Sequence, residues 1–123
     1  MPVTAREIAP DIFRQRLLIE GFYSSEVGRG AVATFLTGLA AELGLRAYAE
    51  PVIFSPEGQG SAENQGFDAF LPLIDSGIAA YFWTGRRFFS IVLYTCKAFD
   101  EDVAVRFTRQ FLDVEEEPVV LSF

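Results

Sequence analysis

The sequence has no histidine, and only one cysteine, one methionine and one tryptophan. Without histidine there is no Ser-His or Cys-His catalytic pair and no imidazole-bound metal. A single cysteine closes no internal disulfide and cannot build a thiolate zinc site, as suits a reducing compartment. Positive charge is also scarce, with 10 basic residues against 17 acidic ones and a net charge of -7. Nucleic acid and anionic membrane surfaces are therefore poor partners, because nothing supplies the basic footprint they require. The acidity is compatible with a cationic ligand or partner. No N-terminal stretch has the basic and apolar regions of a signal peptide, and no apolar run reaches ~18 residues. A cytoplasmic chain with no membrane span is the expectation.

What is present is a core. Half of the 123 residues are apolar and 15% are aromatic, which suits one folded domain over residues 1–123. Residues 1–11 read as a loosely ordered arm. RQRLLIEGFY, from Arg14, reads as a strand, and a helix is expected from about Glu26 to Leu43. Its apolar stripe is Val32, Phe35, Leu36, Leu39 and Leu43, with Gly44 as its C-terminal cap. Leu45–Phe54 reads as a strand edged by Pro51, and the polar stretch from Ser55 to Gly66 as a loop. Three strands follow, Phe67–Ile74, Ile78–Trp83 and Phe88–Thr95, the last two joined by a turn over Thr84–Arg87. Asp100 is placed to cap a helix reaching about Leu112, with Val103, Phe107 and Phe111 as its buried stripe. The tail PVVLSF reads as a closing strand. The order β-α-β-β-β-β-α-β predicts an α+β two-layer sandwich, an antiparallel sheet with two helices on one face.

The stretch Ile74–Cys96 (IDSGIAAYFWTGRRFFSIVLYTC) resembles the core motif of the prokaryotic S-adenosylmethionine decarboxylase family. Asp75-Ser76 falls on that family's Glu-Ser cleavage pair, Trp83 on its tryptophan and Thr95-Cys96 on its closing Thr-Cys. RQRLLIEGFY, AAELG and FSPEG resemble its opening strand, its helix end and its F-x-P-x-G. The likeness spans roughly residues 14–112 and rests on order and spacing. It implies self-cleavage before the serine, leaving a pyruvoyl group that serves as the electron sink for decarboxylation. The family's product is the aminopropyl donor for spermidine synthesis. By the same resemblance Cys96 takes the catalytic acid's place and Phe54 the adenine-stacking position, and the chain is expected to form a homodimer with shared active sites.

Several departures remove polar chemistry. Tyr81 stands where the family has a proton-transferring histidine, and phenols are poor bases at neutral pH. Gly77 replaces a second histidine, and Asp68 falls, on a gapless count, where a processing serine belongs. Gly85 replaces the carboxylate that holds the ribose, and Arg86 and Arg87 beside it have no counterpart. The retained residues also have plain readings: Ser76 as a turn hydroxyl, Cys96 as a small core side chain, Phe54 and Trp83 as packing. The expectation is a protein with little or no decarboxylase activity, not self-processed, that binds a small molecule or a partner. Its candidate residues are Asp75, Ser76, Tyr81 and Cys96 for catalysis and Phe54, Trp83 and Arg86 for ligand. No cofactor is expected if unprocessed, and a pyruvoyl group from Ser76 if processed. The alternatives are a pyruvoyl decarboxylase with an anionic substrate, favoured by Arg86 and Arg87, and a regulatory partner of a catalytic paralogue.

Overall fold

Alternation of large apolar residues sets the sheet, because successive strand side chains point to opposite faces. The computed structural model describes residues 7–56 and 59–123. Its elements are β1 (Gln15–Phe22), α1 (Arg29–Glu42), β2 (Val52–Phe54), β3 (Gly66–Leu73), β4 (Ser76–Trp83), β5 (Phe88–Thr95), α2 (Glu101–Leu112) and β6 (Val119–Ser122). The six strands form one sheet in the order β2-β3-β4-β5-β1-β6, and every pairing is antiparallel. This is the expected α+β sandwich. β1 pairs with β5 in the register Leu17 to Leu93 and Ile19 to Ile91. Those four side chains, with Ile78, Ala80 and Phe82, lie buried beneath the helices.

Helix α1 buries Val32, Phe35, Leu36, Leu39 and Ala40. Phe35 is its anchor, with ring centroids 6.2 Å from Phe82, 5.9 Å from Phe107 and 5.4 Å from Phe111. The helix begins at Arg29, later than the expected Glu26. The preceding Ser24 and Ser25 amides donate instead to the carbonyls of Leu112 and Asp113 at the end of α2. Helix α2 differs from its expected stripe: Ala104, Thr108 and Leu112 are the buried line, and Phe107 and Phe111 flank it, partly buried. Phe107 lies against α1 at Gly38, where a Cβ would come within 2.8 Å of its ring. The bulky rings thus lie between the two helices, while Ala104, Thr108 and Leu112 take the fully buried line.

The strand expected over Leu45–Phe54 is also corrected. Pro51 has no N–H to donate, and only the three residues of β2 pair with β3, preceded by an isolated bridge from Ala47 to Leu73. The loop before β3 holds a short 3-10 turn, Ala62–Asn64. Gly66 belongs to β3, and a Cβ there would lie 1.7 Å from the Phe82 carbonyl oxygen. Of the expected arm, residues 1–6 lie outside the described residues. Glu7 ion-pairs with Arg14, and the Ala9 amide, with Arg14, holds its carboxyl below the usual range.

Asp100 caps α2 as expected, its carboxylate accepting from the amides of Asp102 at 2.9 Å and Val103 at 3.3 Å. Asp100→Ala leaves both amides without that acceptor, at a cost of about 1 kcal/mol. A fall in melting temperature of roughly 4 °C is expected, and an unchanged melting curve would show that water replaces the cap.

Candidate functional site

Chemistry-bearing residues gather at the two ends of the central hairpins. At one end, β3 and β4 are joined by a two-residue loop, Ile74-Asp75, with Leu73 paired to Ser76. Ser76 has φ 122, a conformation that costs a non-glycine residue about 1–3 kcal/mol unless its surroundings impose it. Here Ser76 is clamped between Leu73 and Thr95. The Asp75 carbonyl accepts the backbone N–H of Cys96 at 2.9 Å, and the Cys96 thiol lies 3.6 Å from the same oxygen. Two donors therefore converge on the carbonyl that a Ser76 hydroxyl would attack. The Asp75 side chain is 13% exposed, one oxygen is 4.0 Å from Arg46, and the other is buried without a hydrogen-bond partner.

Asp75, Ser76 and Cys96 are thus brought together at one hairpin end. Cys96 is exposed rather than the core side chain of its plain reading. A cavity of about 330 Å³ adjoins Ser76, lined by Phe70, Gly77, Ala79, Val92 and Tyr94. Tyr94 was not singled out from the sequence, because its partnership with Ser76 depends on the β4–β5 register, which sets Gly77 opposite Tyr94. The ring of Phe70 covers Gly77, where a Cβ would lie 2.4 Å from it. Space that a histidine would occupy is filled by an aromatic side chain.

Tyr81 is elsewhere. Five residues along β4 place it roughly 16 Å from Ser76 at the usual strand rise, between Asp68 and Ser90 on the face away from the helices. Phe54, 66% exposed, stands opposite Asp68 on the short edge strand β2. Neither joins the Ser76 cluster within one chain.

At the other end, Trp83 and Arg86 line a cleft of about 400 Å³ with Phe22, Phe88, Glu63 and Asn64. Phe88 links the aromatic wall, 5.4 Å from Phe22 and 5.3 Å from Trp83. Arg86 has no partner among the described residues, whereas Arg87 is engaged, contrary to the expected basic pair. Arg87 donates to the carbonyls of Ser24 and Ser25 at 3.0 Å, pairs with Glu26 at 3.1 Å and lies over the Tyr23 ring. Burial pushes the Tyr23 phenol up, opposed by that guanidinium. Among the described residues no group of His, Cys, Asp or Glu is placed to hold a metal, and no helix is long and apolar enough to cross a membrane.

An open-faced six-stranded antiparallel sheet with two helices on its other side is an α+β arrangement shared with adenosylmethionine decarboxylase-like folds. No family model and no curated protein matches the sequence. Solved structures do match, among them the crystal structure of the adenosylmethionine decarboxylase from Aquifex aeolicus VF5, with a TM-score of 0.67. The alignment covers 89% of each chain at 15% identity. The likeness is one of fold.

Proposed function

We propose that this chain is an unprocessed relative of the adenosylmethionine decarboxylases, with little or no decarboxylase activity, that binds a small molecule at its Trp83 end. The surroundings of Ser76 carry the proposal. The cavity beside it is walled by Phe70, Gly77, Ala79 and Val92, with the Tyr94 phenol as its one titratable wall residue. Eliminating an ester at Ser76 requires a base with a pKa near neutrality, and no imidazole exists in the chain. The intact mass of the purified protein tests this reading.

One observation favours the rival, a self-processing pyruvoyl enzyme. The Cys96 amide and thiol polarise the Asp75 carbonyl, which would help the first acyl shift. The Cys96 thiol and the Tyr94 phenol are the candidate bases beside Ser76, and the thiol is the more readily ionised of the two. Cleavage before Ser76 would decide for this rival.

The proposal includes a homodimer. The sheet face away from the helices exposes Phe54, Phe70, Tyr94 and Leu121, each by 44–66%. They lie beside a row formed by Asp68, Tyr81, Ser90 and Glu20, and exposed large apolar side chains gathered on one face favour burial against a partner. On the same face, Arg16 has its Nε buried without a hydrogen-bond partner and its guanidinium over the Phe123 ring. Pairing two such faces about a two-fold axis running across the strands sets the Ser76 end of one copy over the Trp83 end of the other. That arrangement shortens the gap between Tyr81 and a serine, and it supports shared sites.

A further inference from the structure

The walls of the Trp83 cleft differ in chemistry, and each selects a different part of a ligand. Phe22, Phe88 and Trp83 form a continuous aromatic surface, against which a flat ring stacks. Arg86, exposed in the β4–β5 turn, has no hydrogen-bond or ion-pair partner among the described residues. Its planar fork suits a carboxylate or a phosphate. Glu63 and Asn64 enter from the 3-10 turn, and both are exposed. A carboxylate only accepts, and with two oxygens it pairs best with two adjacent N–H groups, while the neighbouring amide both donates and accepts. Glu63 and Arg86 line one cleft without forming an ion pair. The volume of about 400 Å³ lies in the range of small-molecule sites.

We infer that this cleft binds a nucleoside monophosphate whose base carries adjacent ring and exocyclic N–H donors. The base lies on the aromatic wall, its N–H edge meets Glu63 and Asn64, and the phosphate meets Arg86. The inference rests on the reading of the Trp83 end as a ligand site and adds the ligand's class. Its charge is opposite to that of the sulfonium substrate taken by the family this sequence resembles.

Trp83 is the one tryptophan, so its indole N–H gives a single resonance in the ¹⁵N-labelled full chain. Guanosine 5′-monophosphate is expected to shift that resonance saturably, and guanosine to bind at least tenfold more weakly. Arg86→Ala is expected to bring the nucleotide to the nucleoside's level, and Arg86→Lys to keep part of the difference. Glu63→Gln is expected to weaken guanosine 5′-monophosphate at least tenfold and to leave adenosine 5′-monophosphate unchanged. Both substituted side chains are exposed, and circular dichroism verifies that the variants fold. Equal affinity for guanosine and its monophosphate would overturn the anion assignment. Adenosine 5′-monophosphate binding as tightly as the guanosine nucleotide would overturn the role of Glu63. Absence of any saturable shift would overturn the site. None of these outcomes bears on processing, which the intact mass reads separately.

Discussion

Purified protein is expected to run as one covalent chain of 13.7 kDa, with Ser76 unmodified. Self-cleavage would begin with the Ser76 hydroxyl adding to the Asp75 carbonyl carbon, and the amide nitrogen leaving to give an ester. The strained φ of 122 and the two Cys96 contacts favour that step. A base must then take the Ser76 Cα proton as the Asp75 carboxylate departs, and general-base help of this kind contributes about 10²–10⁴-fold. The residues around Ser76 supply a phenol and a thiol for it, and no imidazole. Mass spectrometry finding residues 76–123 as a separate fragment with a blocked, ketone-bearing N-terminus would defeat the inactive reading, provided Ser76→Ala abolishes the cut.

The structure also changes how activity could be restored. Gly77→His with Tyr81→His returns both histidines of the resembling family, but the Phe70 ring fills the space above Gly77. Overpacking of this kind typically costs about 1–3 kcal/mol. The double variant is expected to stay intact and melt lower, and adding Phe70→Ala is expected to restore stability and permit cutting. An uncut triple variant would mean that geometry was lost along with the base.

Sedimentation at micromolar concentration is expected to give a dimer, and Val92→Arg a monomer. Val92 sits on the open face, paired with Leu18 on one side and Ala79 on the other. A guanidinium there would be buried without a partner when two faces meet. Unpaired charge in an apolar interface is penalised by several kcal/mol, so dissociation should rise at least ~100-fold, since each 1.4 kcal/mol is tenfold. Val92 contributes little to the core beneath the helices, and the variant's circular dichroism should match the parent's. A monomeric parent chain would remove the shared-site arrangement while leaving the Trp83 cleft in place.

Much of the fold was legible because it is written in local signals. Asp100 before an apolar-periodic stretch gave the start of α2, and the spacing of Val32, Phe35, Leu36 and Leu39 gave the buried face of α1. Alternation in β3, β4 and β5 gave three strands and their turns. The errors lie where a distant partner outweighs a local preference. Phe107 and Phe111 look like the centre of a stripe because they are the largest apolar residues of α2, yet they pack against Phe35 of α1 and the fully buried line is Ala104, Thr108 and Leu112. Leu45–Phe54 has strand composition, but Pro51 leaves pairing for three residues only.

For the candidate site, the sequence by itself determined the chemical inventory. It set the absence of histidine, the Asp75-Ser76 step and the twenty-residue spacing to Cys96, which two antiparallel strands convert into contact at one hairpin end. Only the tertiary structure decided which residues meet. Register put Tyr94 beside Ser76 and left Tyr81 roughly 16 Å away along the same strand. Packing gave Arg87 to the Ser24 and Ser25 carbonyls, while Arg86 has no partner among the described residues. The 3-10 turn carried Glu63 and Asn64 to an aromatic wall drawn from distant parts of the chain, Phe22 on one strand and Trp83 and Phe88 on two others. Contacts of this kind depend on strand register and on competition for hydrogen-bond partners, and neither is encoded in the periodicity of any single segment.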